Sequence, residues 1–220
     1  MFSNEMLCLF GVGFLESLYM TLLSTAAAYA IGLPLGLLLV ATETGSVWPR
    51  PALNRVLGVV INCLRSVPFL ILLVAVIPIT RFIVGTTIGS MATVVPLVIA
   101  AAPFLARMVE SSVKEVDRGV IEAALSMGAS PLQIVCKVLL PEALPSLLIG
   151  AAIAVTTILG YSAMAGIVGG GGLGAIAINY GYYRKQTSVM LVMIVLLVLI
   201  VQLFQEIGNR AARKMDKRIR

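Results

Sequence analysis

Apolar residues gather in five long runs, near 18–41, 56–79, 88–108, 146–168 and 187–207. Each approaches the roughly 20 residues that an α-helix needs to cross about 30 Å of hydrocarbon. All five are predicted as membrane-spanning helices, so the expected fold class is all-α, a polytopic membrane protein in one domain. Within the first run, Gly32, Pro34 and Gly36 predict a bend whose freed backbone groups neighbouring helices must satisfy. Between the third and fourth runs lies the one polar interruption long enough to fold by itself, from Asp117 to Pro145. Asp117 is placed to cap a short helix carrying Val120, Ile121, Ala124 and Leu125 on one face, and Gly128 stands where a left-handed stop is wanted. Ser130, Pro131 and Gln133 supply an N-cap, a first-turn proline and a capping-box glutamine for a second helix with Leu132, Val135, Val138 and Leu139. Pro141 is expected to end it. Two short helices at an angle, with stripes too small for a core of their own, need a partner surface.

Composition supports this reading. Of 220 residues, 60% are hydrophobic and 12% charged, against about half apolar and one-quarter charged in a soluble domain. The net charge of +6 would suggest nucleic acid in a soluble protein, but here the basic residues sit in particular loops and the tail, so no nucleic-acid partner is expected and the bilayer is the surrounding medium. Cys8, Cys63 and Cys136 form no CxxC pair, and histidine is absent. Neither a disulfide framework nor a metal site is suggested, and the usual general base is missing. Met1 to Ser17 lacks the basic stretch and cleavage site of a signal peptide, so the first span is expected to target the chain.

The basic residues set the orientation. Arg50 and Arg55 lie between runs one and two; Arg107, Lys114, Arg118 and Lys137 between three and four; and Arg210, Arg213, Lys214, Lys217, Arg218 and Arg220 in the tail. The opposite side receives only Arg81, Arg184 and Lys185. The positive-inside bias puts the larger set in the cytoplasm, the N-terminus outside and the C-terminus inside. The 117–145 loop is thereby cytoplasmic on charges counted without reference to its own pattern.

Gly169, Gly171 and Gly174 match GxGxxG, but they follow a span instead of a strand and no acidic residue stands about 20 positions on, so a nucleotide loop is rejected. A tight external connection that lets backbone pass close to another helix fits better, with Tyr180, Tyr182 and Tyr183 beside Arg184 and Lys185 forming an interfacial belt. No GxxxxGK[ST] occurs, so the chain has no catalytic residues for ATP hydrolysis by that route. Arg65 is the one basic residue well inside a predicted span; it either snorkels to the cytoplasmic interface or lines the bundle interior, and Pro68 favours a broken helix there. Carboxylates fall at the rims, Glu16 outside and Glu110, Glu115, Asp117, Glu122, Glu142, Glu206 and Asp216 inside. Ion-coupled transport, which keeps a carboxylate near midplane, is therefore disfavoured and mechanical drive through the loop preferred. On the fourth span, Gly150, Ala154, Ser162 and Gly166 make one ridge of small residues, and Ala152, Thr156, Gly160 and Met164 another. Met164 is a candidate soft plug where a two-fold axis brings two copies together, the alternative being plain packing.

Glu122, Ala123, Ala124, Gly128, Val138, Leu140 and Pro141 stand at the spacing of the EAA loop, and the segment resembles the coupling loop of membrane subunits of bacterial ATP-binding-cassette importers, with Val138 in place of a usual isoleucine. The resemblance sharpens at ArgSerValProPhe 65–69, AlaAlaProPheLeuAlaArgMetValGlu 101–110, LysValLeuLeuProGluAlaLeuPro 137–145 and GlyTyrSerAlaMet 160–164, which look like the methionine-uptake permease family of Gram-negative bacteria. It implies a five-span inner-membrane subunit working as a homodimer with two ATPase subunits, which would bind the ATP and Mg, and an external methionine-binding lipoprotein. It also implies ATPase docking by Glu122, Ala123, Ala124, Gly128, Leu140 and Pro141. The translocation path and gate are assigned to Met164, Gly160, Ser162 and Arg65. A permease for another small amino acid or peptide, and a membrane scaffold that transports nothing, remain the alternatives.

Overall fold

The computed structural model describes residues 3–215, and every regular element among them is helical. In chain order these are α1 (Asn4–Thr42), α2 (Pro51–Ser66), α3 (Phe69–Ala75), α4 (Ile77–Val84), α5 (Ser90–Lys114), α6 (Arg118–Ser126), α7 (Pro131–Ile134), a π-helical stretch Val135–Leu139, α8 (Leu140–Ala165), a 3-10 turn Gly166–Val168, α9 (Gly172–Ile176), a second π-helical stretch Ala177–Tyr183, and α10 (Thr187–Met215). Lys217, Arg218, Arg220 and Asp216, counted above, lie outside the described residues. Among the described residues, four helical runs are long and apolar enough to cross a membrane: Asn4–Thr42, Ser90–Lys114, Pro131–Val168 and Thr187–Met215; Pro51–Arg65 with Phe69–Ala75 makes a fifth if the broken pair is one span.

The second run is broken where Pro68 was expected to break it: Pro68 offers no N–H and disfavours the helical region for Val67, so α2 stops at Ser66 and α3 begins at Phe69. Arg65 therefore sits in the last turn of a helix and not along an unbroken rod. One expectation needs correction: Pro141 does not end the second short helix, and the fourth span starts not near 146 but as a continuation of α7. The missing donor of Pro141 is absorbed just upstream, where the register loosens to i→i+5 and Leu140 donates to the Val135 carbonyl. Where a bend was expected from Gly32, Pro34 and Gly36, α1 continues as one helix with Pro34 inside it.

The chain divides into two compact units. One comprises the chain up to Ala27, Val67–Ala101 and Ala154–Gln205. Its core is built from Phe10, Leu159, Leu173, Ile176, Val189, Met193 and Ile200. Here the glycine-rich turn lets backbones touch as expected: a Cβ on Gly174 would stand 2.3 Å from the Ala163 carbonyl oxygen, and one on Gly166 would stand 2.4 Å from the Ala175 nitrogen. The helical segment Gly172–Tyr183 that follows was hidden by its short apolar length.

The other unit comprises Ala28–Ser66, Ala102–Ile153 and the chain from Glu206 on. Val40, Val109, Val113, Ile134, Leu139 and Leu147 form its core. The glycines of α1 serve packing here. A Cβ on Gly32 would lie 2.7 Å from the Leu105 Cβ, and one on Gly36 would lie 2.6 Å from the Ala106 oxygen, so α1 and α5 approach at a distance only glycine permits.

Candidate functional site

The 117–145 segment closes as its sequence directs. The Asp117 carboxylate accepts from the Gly119 N–H at 2.6 Å and opens α6. At the other end Gly128 takes φ +75°, its N–H donates to Leu125 O at 2.9 Å, and the Ala129 N–H donates to Ala124 O at 3.1 Å. This is the paired C-terminal stop in which a left-handed residue satisfies two otherwise orphaned carbonyls. Two residues later Ser130 caps α7, accepting from the Gln133 N–H at 3.4 Å, while the Gln133 side chain accepts from the Ser130 N–H at 2.9 Å. The caps are local, which is why they were legible.

Packing then sorts the candidate residues. Ala124, Ile134 and Leu139 are buried in the core of their unit, with Ile121, Val138 and Leu140 packed against it. Glu122, Ala123, Gly128 and Pro141 are exposed. The expected common face of α6 is split: Ala124 points inward, whereas Val120 and Leu125 face out with Met127 and Leu132, the last two 81% and 73% exposed. Outward-facing apolar side chains on a firmly anchored turn form a small knob whose burial requires another surface.

The same unit holds a chain of charges that joins residues far apart in the sequence. Arg107 donates to Glu110 at 2.7 Å and to the Gly58 carbonyl at 3.0 Å, and Lys114 lies 3.0 Å from both Glu110 and Glu43. The i,i+3 and i,i+4 spacing of Arg107, Glu110 and Lys114 on one helix was the available signal. Glu43 carried none, because its partner is 71 residues away.

In the other unit, the small-residue ridges of α8 separate. Ser162 and Gly166 are buried, the Ser162 hydroxyl donating to Leu159 O at 2.8 Å, while Gly160 and Met164 are both exposed. The structure thus brings Met164 and Gly160 to one open face and turns Ser162 away from it. Behind them the Tyr161 ring stacks on Phe69 at 4.5 Å between centroids, joining two of the motifs singled out above. The glycine turn is clamped by α1: the Gly172 N–H donates to Glu16 at 2.7 Å and the Leu173 N–H to Ser17 Oγ at 2.8 Å. Tyr182 and Tyr183 are well exposed, and the Arg184 guanidinium lies over the Tyr180 ring at 4.3 Å. Arg65 is exposed and belongs to the unit that holds the docking segment.

Residues 32–218 match the family described as binding-protein-dependent transport system inner membrane component. The chain is 51% identical over 203 residues to a protein of Vibrio cholerae named probable D-methionine transport system permease protein MetI, covering 92% of this chain and 90% of that one. It is 51% identical over 164 residues to the D-methionine transport system permease protein MetI of Escherichia coli K12, covering 74% and 76%. Among solved structures, a chain from inward-facing conformations of the MetNI methionine ABC transporter matches with a TM-score of 0.97 and 49% identity, covering 98% of this chain and all of that one. An amino acid ABC transporter solved with histidines shares the fold at a TM-score of 0.78 and 20% identity, covering 97% of this chain and all of that one.

Proposed function

This chain belongs to the family of binding-protein-dependent transport system inner membrane components, and on that premise we propose that it is the permease subunit of an ATP-driven importer carrying methionine and close derivatives across the bacterial inner membrane. It works as a homodimer with two ATPase subunits, which hold ATP and Mg, and receives its cargo from an external methionine-binding lipoprotein. Its N-terminus is outside and its C-terminus cytoplasmic. The similarity to methionine permeases at about half identity over most of the chain supports the substrate.

The observation that carries the reading is the capped knob of α6 and α7. It presents Val120, Leu125 and Met127 outward while Ala124, Ile134 and Leu139 hold it to the unit. An ATPase that buries this knob gains apolar area and grips a segment that is hydrogen-bonded at both ends. The same helical run then continues, through Pro141, to the residues assigned to the gate: Pro131–Val168 is continuous and contains both Leu132 and Met164. Movement of the docked segment is in this way transmitted along covalent backbone to the open Gly160/Met164 face, which alternately closes and frees the path. ATP-dependent uptake of labelled methionine into vesicles holding this chain and its ATPase tests the proposal. Uptake of another solute in place of methionine would redirect the substrate, and docking without uptake of any solute would leave only a scaffold.

A further inference from the structure

The connection that leaves α1 is folded back on its last turn. The backbone N–H groups of Trp48 and Arg50 donate to Ala41 O and Thr42 O, both at 3.0 Å, and the Asn54 side-chain amide donates to Leu39 O at 2.6 Å. A groove of about 460 Å³ results, walled by Leu37 and Leu38 of α1, Val47 and Trp48 of the connection, and Pro131 and Leu132 of α7. Its wall is almost entirely hydrocarbon. Trp48 also lines a neighbouring hollow along Pro49 to Leu53, whose wall includes Arg50. At that rim the Arg50 guanidinium carbon stands 5.4 Å from the centre of the indole ring. Arg50 and Arg55 are both exposed. Among the described residues neither has a carboxylate partner; Glu43, on the same connection, is taken by Lys114.

We propose that this groove is a phospholipid site that selects anionic lipid, one acyl chain lying along Leu37, Leu38 and Val47 and the phosphate meeting Arg50. The chemistry of the rim chooses this occupant. Tryptophan is favoured at the boundary between hydrocarbon and headgroups, where its ring is apolar and its N–H is wet. An arginine lying over an indole keeps the edge of its guanidinium free, and that edge presents paired donors of the spacing a phosphate accepts. An unneutralised arginine at the rim of a hydrocarbon groove attracts a ligand with an anionic head and an apolar tail, which a bilayer supplies at high local concentration. A protein segment from a partner is the competing occupant, and it would leave Arg50 without a counter-charge unless it brought its own.

Trp48 is the chain's one tryptophan, so intrinsic fluorescence reports this site alone. The full chain is reconstituted into mixed phosphatidylglycerol–phosphatidylcholine vesicles in which one lipid or the other, at the same mole fraction, carries dibrominated acyl chains, which quench an indole only near contact. Brominated phosphatidylglycerol is expected to quench with about a five-fold preference over brominated phosphatidylcholine, the contribution of one basic residue at a charged membrane surface. Arg50→Gln should bring the preference close to one, and Arg50→Lys should retain most of it. The comparison between the two lipids in the wild-type chain already decides the matter if a variant folds poorly. Equal quenching by both lipids would mean that Trp48 merely sits at the interface, and absence of quenching by either would assign the groove to protein; each result overturns the proposal.

Discussion

Gly128 offers the sharpest perturbation of the docking knob. Its φ of +75° lies in the left-handed region, and a Cβ built there meets nothing within 4 Å. Substitution therefore acts through backbone conformation and not through a clash. For a residue with a Cβ the left-handed region costs about 1–2 kcal/mol, more for a β-branched side chain, while asparagine tolerates it. If the turn relaxes instead, the two hydrogen bonds of the stop, Gly128 N–H to Leu125 O and Ala129 N–H to Ala124 O, are lost at roughly 1 kcal/mol each. Either route amounts to about 1–2 kcal/mol, and each 1.4 kcal/mol is tenfold in an equilibrium. The apparent affinity for the ATPase should thus fall by about tenfold in Gly128→Val, less in Gly128→Ala, and little in Gly128→Asn. Uptake in vesicles should follow the same order, with ATP hydrolysis surviving in uncoupled form, while the melting temperature of the permease in detergent shifts only slightly. Uptake by Gly128→Val at the wild-type rate would refute the docking role of this turn, and equal losses in Val and Asn would refute the backbone explanation.

Four other perturbations test separate parts of the structure. Met164→Ala should let methionine leak passively through nucleotide-free vesicles if the exposed Met164 closes the path, whereas a tight but less thermostable protein would make it a packing residue. Arg65→Ala should lower transport with little loss of folded protein if Arg65 lines the interior; rescue by Lys would point to charge at the interface, since only Arg presents a planar fork. Gly36→Ala forces α1 away from α5 at a point where a Cβ would lie 2.6 Å from the Ala106 oxygen, so thermal unfolding should show a loss of about 1–3 kcal/mol; Gly11→Ala, with open space around its Cβ, is the control that should not destabilise. Ile134→Ala removes a fully buried side chain beneath the knob and should destabilise by about 2–5 kcal/mol, measured in the same assay.

The features legible in the sequence share one property, which is that their determinants lie within a few residues of one another. Asp117, Gly128, Ser130 and Gln133 each act on backbone groups no more than a few positions away, and all four form the contacts their spacing predicts. Apolar runs likewise disclosed the all-helical fold, because hydrocarbon forces every backbone group to find its partner inside the segment. What escaped depends on partners distant in sequence. Glu43 and Lys114, Phe69 and Tyr161, and Glu16 and Gly172 meet only after the helices pack.

Proline and glycine show the limit most clearly, since the same residue type gave opposite results. Pro68 breaks a helix and Pro141 does not. The difference lies in what precedes each: upstream of Pro141 the backbone is able to loosen into the i→i+5 register of Val135–Leu139, which removes the demand for the missing donor. Gly32 and Gly36, read as a bend, also mark a helix–helix contact, because a missing side chain matters wherever another backbone comes within reach of it. A local rule sees only that glycine loosens the chain; the neighbour that makes the glycine necessary is α5, some 70 residues further along. The consequence bears on function, for it is the passage through Pro141 that makes the docking segment and the Met164 face parts of one helical run. Were the helix broken at Pro141, motion at the knob would have to cross a flexible joint before reaching the gate, and the coupling proposed for this chain would lose its most direct route.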